Sequence, residues 1–190
     1  MADLTFELGF DWNMPSSENA LGVVYALQMY LVKNDPDPNK SAVISPCNSS
    51  KINTGDTLGF RIYDFTGSPS APAGTEPRAL QVLFATAVDQ QPANISPILV
   101  AGKALPQLAT TDFGVPQQNP TSIAYGDVAR GWDVTTLLPL SELRLSESGR
   151  FEMRAMLTVS VPGQMARFYR VDPEMVVGGS GTPGSLGRTA

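Results

Sequence analysis

Histidine is absent from the 190 residues, and cysteine occurs once, at Cys47. The first absence removes imidazole acid–base chemistry, the serine and cysteine triads built on it, and the usual zinc, copper and iron ligand sets. The second removes any internal disulfide and leaves Cys47 with no imidazole to activate it, so it reads as a small packing residue. Charge is scarce too: charged residues make up 16% of the chain, against roughly 25% in an average globular protein. A net charge of -5 lacks the clustered cations that nucleic acid or an anionic membrane would need, and neither is expected as a partner. No apolar run is long: the best, Ala20 to Val32, includes Gln28 and falls short of the roughly 20 residues of a membrane-spanning helix. Met1 leads into Asp3, Glu7 and Asp11 with no cationic segment, so export is not expected and the location is expected to be cytoplasmic. The Asn-x-Ser sequons at Asn39, Asn48 and Asn94 then read as coincidences.

Turn formers are abundant, with 17 glycines and 16 prolines. Between them run stretches of period-two alternation, the pattern of a strand with one buried face. Leu4, Phe6, Leu8 and Phe10 alternate with Asp3, Thr5, Glu7 and Gly9, which predicts a half-buried strand. The turn chemistry of Asn53-Thr54-Gly55-Asp56 feeds a strand over 57–65, and Leu80 to Val88 predicts another. Residues 22–33 fit either a helical stripe or a strand; the missing cap and the Val and Tyr content favour strand. Tyr125, Trp132, Val134 and Leu137 mark one or two further short strands.

The alternation of Phe151, Met153, Ala155, Leu157, Val159 and Val161 predicts a strand about a dozen residues long. Pro162-Gly163-Gln164 turns the chain into an antiparallel return over Met165 to Val171. A two-residue loop there sets Leu157 opposite Phe168, and a three-residue loop sets it opposite Tyr169. Pro173 permits only an edge position or a break before Met175 to Val177. Residues 89–120, with five prolines, read as a long Pro-rich irregular excursion, and 178–190, with five glycines, as a flexible tail.

Without internal repeats or βα alternation, the expectation is a single all-β domain over 1–177, an antiparallel β-sandwich of immunoglobulin-like or jelly-roll type. Leu145-x-x-x-Gly149-x-Phe151-x-Met153 resembles the tyrosine-corner region of immunoglobulin-like sandwiches, with phenylalanine where the corner's tying hydroxyl would be. Ile52-x-x-Gly55-Asp56-Thr57-Leu58-x-Phe60 is similar to the strand lead-in of cupredoxin-like domains, but a blue-copper site needs imidazole. The Val171-Asp172-Pro173 exit resembles that of small bacterial sandwiches of the inclusion-body and autoinducer-dependent type, which implies assembly as a role.

Few residues offer chemistry. Asp35-x-Asp37-x-Asn39-x-Ser41 has the alternating oxygens that open a calcium loop. Lys40 and Pro46 stand where that loop needs glycine and a bidentate acid, however, and a plain solvated turn is the favoured reading. Arg144, Arg150, Arg154, Arg167 and Arg170 read as a solvated strand face, since no phosphate-cradling glycine loop accompanies them. A carboxylate-based glycoside hydrolase needs no histidine, and Asp127, Asp133 and Glu142 lie around Trp132, with Asp11 beside Trp12. Trp12, Trp132, Tyr125 or Tyr63 could stack against sugar rings if exposed, with Asp133 as a polar partner. The leading expectation is a non-catalytic binding or structural protein that needs no cofactor and acts through protein contacts or self-assembly. A carbohydrate-binding module is the alternative, and a glycosidase stands behind it.

Overall fold

Alternating apolar side chains become strands in the computed structural model, which describes residues 2–14, 16–19, 22–44, 53–86, 98–100, 103–104, 107–134, 144–145 and 149–178. In chain order the strands are β1 (Asp3–Phe10), β2 (Ser16–Asn19), β3 (Gly22–Ala26), β4 (Gln28–Asn34), β5 (Ala42–Ile44), β6 (Thr57–Asp64), β7 (Glu76–Thr86), β8 (Ile98–Val100) and β9 (Lys103–Ala104). They continue as β10 (Gln107–Thr110), β11 (Gln117–Gln118), β12 (Thr121–Ser122), β13 (Gly126–Asp127), β14 (Arg130–Asp133), β15 (Arg144–Leu145), β16 (Gly149–Ser160), β17 (Arg167–Val171) and β18 (Glu174–Val177). A single 3-10 turn, Pro38–Lys40, interrupts the strands, and the described residues contain no α-helix. The protein is all-β.

The strands form two large sheets. The first runs β5-β4-β1-β6-β15-β8-β9, with β14 also on β6 and β11 on β14; the second runs β10-β7-β16-β17-β3-β2, with β18 also on β16. The small hairpin β12–β13 stands apart. The expected purely antiparallel pairing is corrected: β1 pairs parallel with β6, and β17 parallel with β3. Parallel neighbours need a crossover rather than a hairpin, and β2 to β5 lie in the chain between β1 and β6.

Residues 22–33 are strand, but in two pieces. The chain leaves the second sheet after β3 and enters the first at β4, with Leu27 buried at the break and its N–H donating to the Arg170 carbonyl at 3.0 Å. The β16–β17 hairpin takes the register expected of a three-residue loop, with Leu157 opposite Tyr169, although strand pairing ends at Val159 opposite Arg167 and the connection between the strands is longer. That register buries both residues, whereas the other would turn one of them outward. β7 begins earlier than its apolar alternation suggests. Pro77 sits beside a register shift between Thr158 and Val159, one of the few places where a strand tolerates proline. The excursion over 89–120 is not wholly irregular, since β8, β9, β10 and β11 lie within it; residues 89–97 lie outside the described residues. Of the expected tail, Gly178 bridges to Asn53, and 179–190 lie outside the described residues.

One apolar core draws on both sheets. Phe6, Leu8, Phe60 and Ile62 come from the first and Leu80, Phe84, Met153 and Leu157 from the second. Phe10 meets Tyr169 across them, with ring centroids 5.5 Å apart. Each such fully buried side chain contributes about 1.5–3 kcal/mol. Central β1 departs from its expected pattern by being buried along both faces from Leu4 to Phe10.

Candidate functional site

Burial of the second face of β1 builds the most structured polar region. Thr5, Glu7 and Gly9 alternate with the core residues, so their sequence predicts exposure, yet Glu7 is only 2% exposed. The segment around β12 and β13 covers it. The Glu7 carboxylate accepts from Ser122 Oγ at 2.5 Å, Ala124 N–H at 2.9 Å and Ile123 N–H at 3.3 Å, and from the Tyr63 hydroxyl at 3.5 Å. A buried acid is tolerated only when so satisfied.

Tyr125 completes this cover. Its ring stacks on Phe65 at 5.2 Å, and its hydroxyl donates toward the carbonyls of Gln28 at 3.0 Å and Glu7 at 3.2 Å. Gly9 makes the approach possible: a Cβ there would stand 2.5 Å from Tyr125 Cζ. Burial, then the Tyr30 hydroxyl and the Glu7 charge, push the Tyr125 hydroxyl well above its ordinary value of 10.0. Burial and the Glu7 charge likewise raise Tyr63, to about 12. Tyr125 is thus a clasp that holds loop to sheet.

Beside the cover lies a groove of about 490 Å³ on the same face. Strand register explains its plan. Asn34, Asp3 and Thr57 share one row across β4, β1 and β6, Thr5 and Gly59 form the next, and Arg61 and Asp133 the third. The first row is tied by Thr57 Oγ1 donating to Asp3 Oδ1 at 3.0 Å, and by Asn34 Nδ2 donating to Thr5 Oγ1 at 2.8 Å and Asp3 Oδ2 at 3.3 Å. At the far end Arg61 Nε donates to Asp133 Oδ1 at 2.9 Å. A smaller pocket of about 170 Å³, beside Tyr63 and Thr121, shares this pair as lining with the groove. Asp133 is the one expected ligand-binding residue that lines both. Glu7, Gly59, Arg61 and Asn34 escaped sequence reasoning; a lone glycine inside a strand pattern is the signal that could have found the floor.

The two tryptophans are not open platforms. Trp132 is 3% exposed, in the core against Phe10 at 6.2 Å, with the Arg130 guanidinium 5.5 Å from its ring. Trp12 is 8% exposed, under the Arg167 guanidinium at 3.7 Å, and Arg167 also donates to the Trp12 carbonyl. Both rings belong to the core cluster, so the exposure on which sugar stacking depends is not met by either. Arg130 also pairs with buried Asp64 at 2.6 Å and donates to the Thr75 carbonyl at 2.8 Å.

Asp35, Asp37 and Asn39 form a self-contained turn. Asp35 Oδ1 accepts from the Asp37 N–H at 3.0 Å, Asp37 Oδ1 accepts from the Asn39 N–H at 3.2 Å, and Lys40 lies 3.2 Å from Asp37 Oδ2. Lys40 first, and the Asn39 amide after it, hold the Asp37 carboxyl below its usual range. Among the described residues, no group of three or more His, Cys, Asp or Glu is placed to hold a metal ion. Asp127 accepts from Thr121 Oγ1 at 3.0 Å, while Glu142, the third acid expected near Trp132, lies outside the described residues.

The outer face of the second sheet differs in character. Phe168, Met156 and Leu83 stand partly open there, Phe168 being 45% exposed. Around them Arg154 and Arg170 both pair with Asp172, and Arg78 pairs with Glu76. No helix among the described residues is long and apolar enough to cross a membrane. No protein-family model matches the chain, and no curated protein or solved structure matches it either.

Proposed function

We propose that this is a non-catalytic β-sandwich protein that associates with copies of itself through the outer face of the second sheet. The observation that carries the reading is the cluster of Phe168, Met156 and Leu83, partly open on adjacent strands. Exposed apolar groups gathered on one sheet face gain by being covered.

Charge argues for a second copy as the cover. The described charged side chains of this face are Arg78, Arg154 and Arg170 against Glu76, Glu152 and Asp172, three of each sign, so these described groups balance on a chain of net charge -5. Like-charged copies repel least where they are locally neutral, and a face bearing both signs can complement itself across a two-fold axis. Light scattering across a concentration series tests this. A dimer is expected, reduced to monomer by Phe168→Asp with an unchanged circular dichroism spectrum; a wild-type chain that stays monomeric at every concentration would refute it.

A further inference from the structure

Gly59 has no structural reason to be glycine. It lies in the interior of β6, where glycine weakens a strand relative to a residue with a side chain. Its backbone does not adopt the left-handed region. A Cβ there would make ordinary contacts, 3.4 Å from Thr5 Oγ1 and 3.7 Å from the Leu4 carbonyl. What the missing side chain does is leave the floor of the 490 Å³ groove bare. An interior strand glycine marks a bulge, a tight bend or a place where a ligand or another backbone comes close; the register of β6 on β1 runs unbroken through Gly59, and the groove volume falls within the roughly 300–1,000 Å³ of small-molecule sites.

We propose that this groove binds a neutral oligosaccharide, laid over Gly59 from the Asp3–Asn34 end to the Arg61–Asp133 end. The groups around the floor are of both hydrogen-bonding kinds. Asp3 and Asp133 accept, Arg61 donates, and the Thr5 and Thr57 hydroxyls and the Asn34 amide do both. A sugar hydroxyl is itself donor and acceptor, so it matches such a mixed set, whereas a purely accepting or donating ligand would leave half of it unanswered. Charge narrows the choice. Two carboxylates against one guanidinium disfavour an anion, and a cation finds no open carboxylate, since Asp133 is paired with Arg61 at 2.9 Å and the two Asp3 oxygens already accept from Thr57 and Asn34. The second pocket, which shares Arg61 and Asp133 with the groove, gives room for further sugar units. Recognition in the main groove is by hydrogen bonds over a bare floor that neither tryptophan lines, while Trp132 is among the residues lining the second pocket. The site lies on the opposite sheet from Phe168 and does not depend on self-association.

A glycan array carrying monosaccharides, neutral oligosaccharides and sulfated or sialylated glycans, probed with the labelled full chain, tests the proposal. Neutral oligosaccharides are expected to bind, more tightly than their monosaccharides. Gly59→Val fills the floor with a residue that strands favour and is expected to weaken binding by about tenfold or more, or 1.4 kcal/mol, at an unchanged thermal midpoint. Arg61→Gln, at a half-exposed position, is expected to weaken it as well and serves if the valine variant fails to fold. An array with no neutral glycan bound, a preference for anionic glycans, or binding that survives both substitutions overturns the proposal.

Discussion

Replacing Glu7 by glutamine removes a charge and turns one acceptor oxygen into a donor, with almost no change in shape. In the native protein Oε2 accepts from Ser122 Oγ and Ala124 N–H, and Oε1 from Ile123 N–H and Tyr63 Oη. The glutamine carbonyl can serve the first pair, but its amide then faces the Ile123 N–H, donor against donor. The Tyr63 hydroxyl can turn round and accept; the backbone amide cannot. At least one hydrogen bond to a charged acceptor is therefore lost, worth about 1.5–3 kcal/mol. For a domain of this size the loss lowers the melting midpoint by about 3–12 °C. Urea unfolding measures the stability, and amide hydrogen exchange at Ala124 reports whether the cover over β1 has loosened. A Glu7→Gln variant within about 0.5 kcal/mol of wild type, with Ala124 equally protected, would refute the claim that this carboxylate holds the segment in place.

Two further perturbations follow from buried groups. Burial raises the hydroxyls of Tyr63 and Tyr169 to about 12, so the stability they contribute is complete below their ordinary value near 10 and is lost as pH climbs through about 12. Spectrophotometric titration should show tyrosines ionising late and stability falling across that interval; native tyrosines that all titrate near 10 would contradict it. Arg130→Met strands the buried Asp64 carboxylate and is expected to cost about 3–5 kcal/mol, whereas the double variant Asp64→Asn, Arg130→Met should cost less than the single one. Urea denaturation decides between them, and a double variant at least as unstable as Arg130→Met alone would show that stranded charge is not the cause.

Local alternation was legible wherever one face of a strand meets the core. The Leu4–Phe10, Leu58–Ile62, Leu80–Phe84 and Phe151–Val159 patterns name their buried sides correctly because burial of the inward face is a property of single residues at period two. The groove was not legible. Asn34, Asp3, Thr5, Gly59, Arg61 and Asp133 come from four strands and meet only because β1 runs parallel to β6 with Thr5 opposite Gly59. A change of pairing by one residue would scatter them across two faces.

Composition and pattern were enough to exclude imidazole chemistry and to announce β structure, since both rest on which residues exist and how they alternate. Whether Trp12 and Trp132 face water, which register the last hairpin takes, and whether Glu7 is solvated or enclosed could be decided only in three dimensions. Each depends on a partner far along the chain, as when Ser122 reaches Glu7 across 115 residues. Such contacts are set by how the sheets and their loops come together, and short-range periodicity carries no record of that.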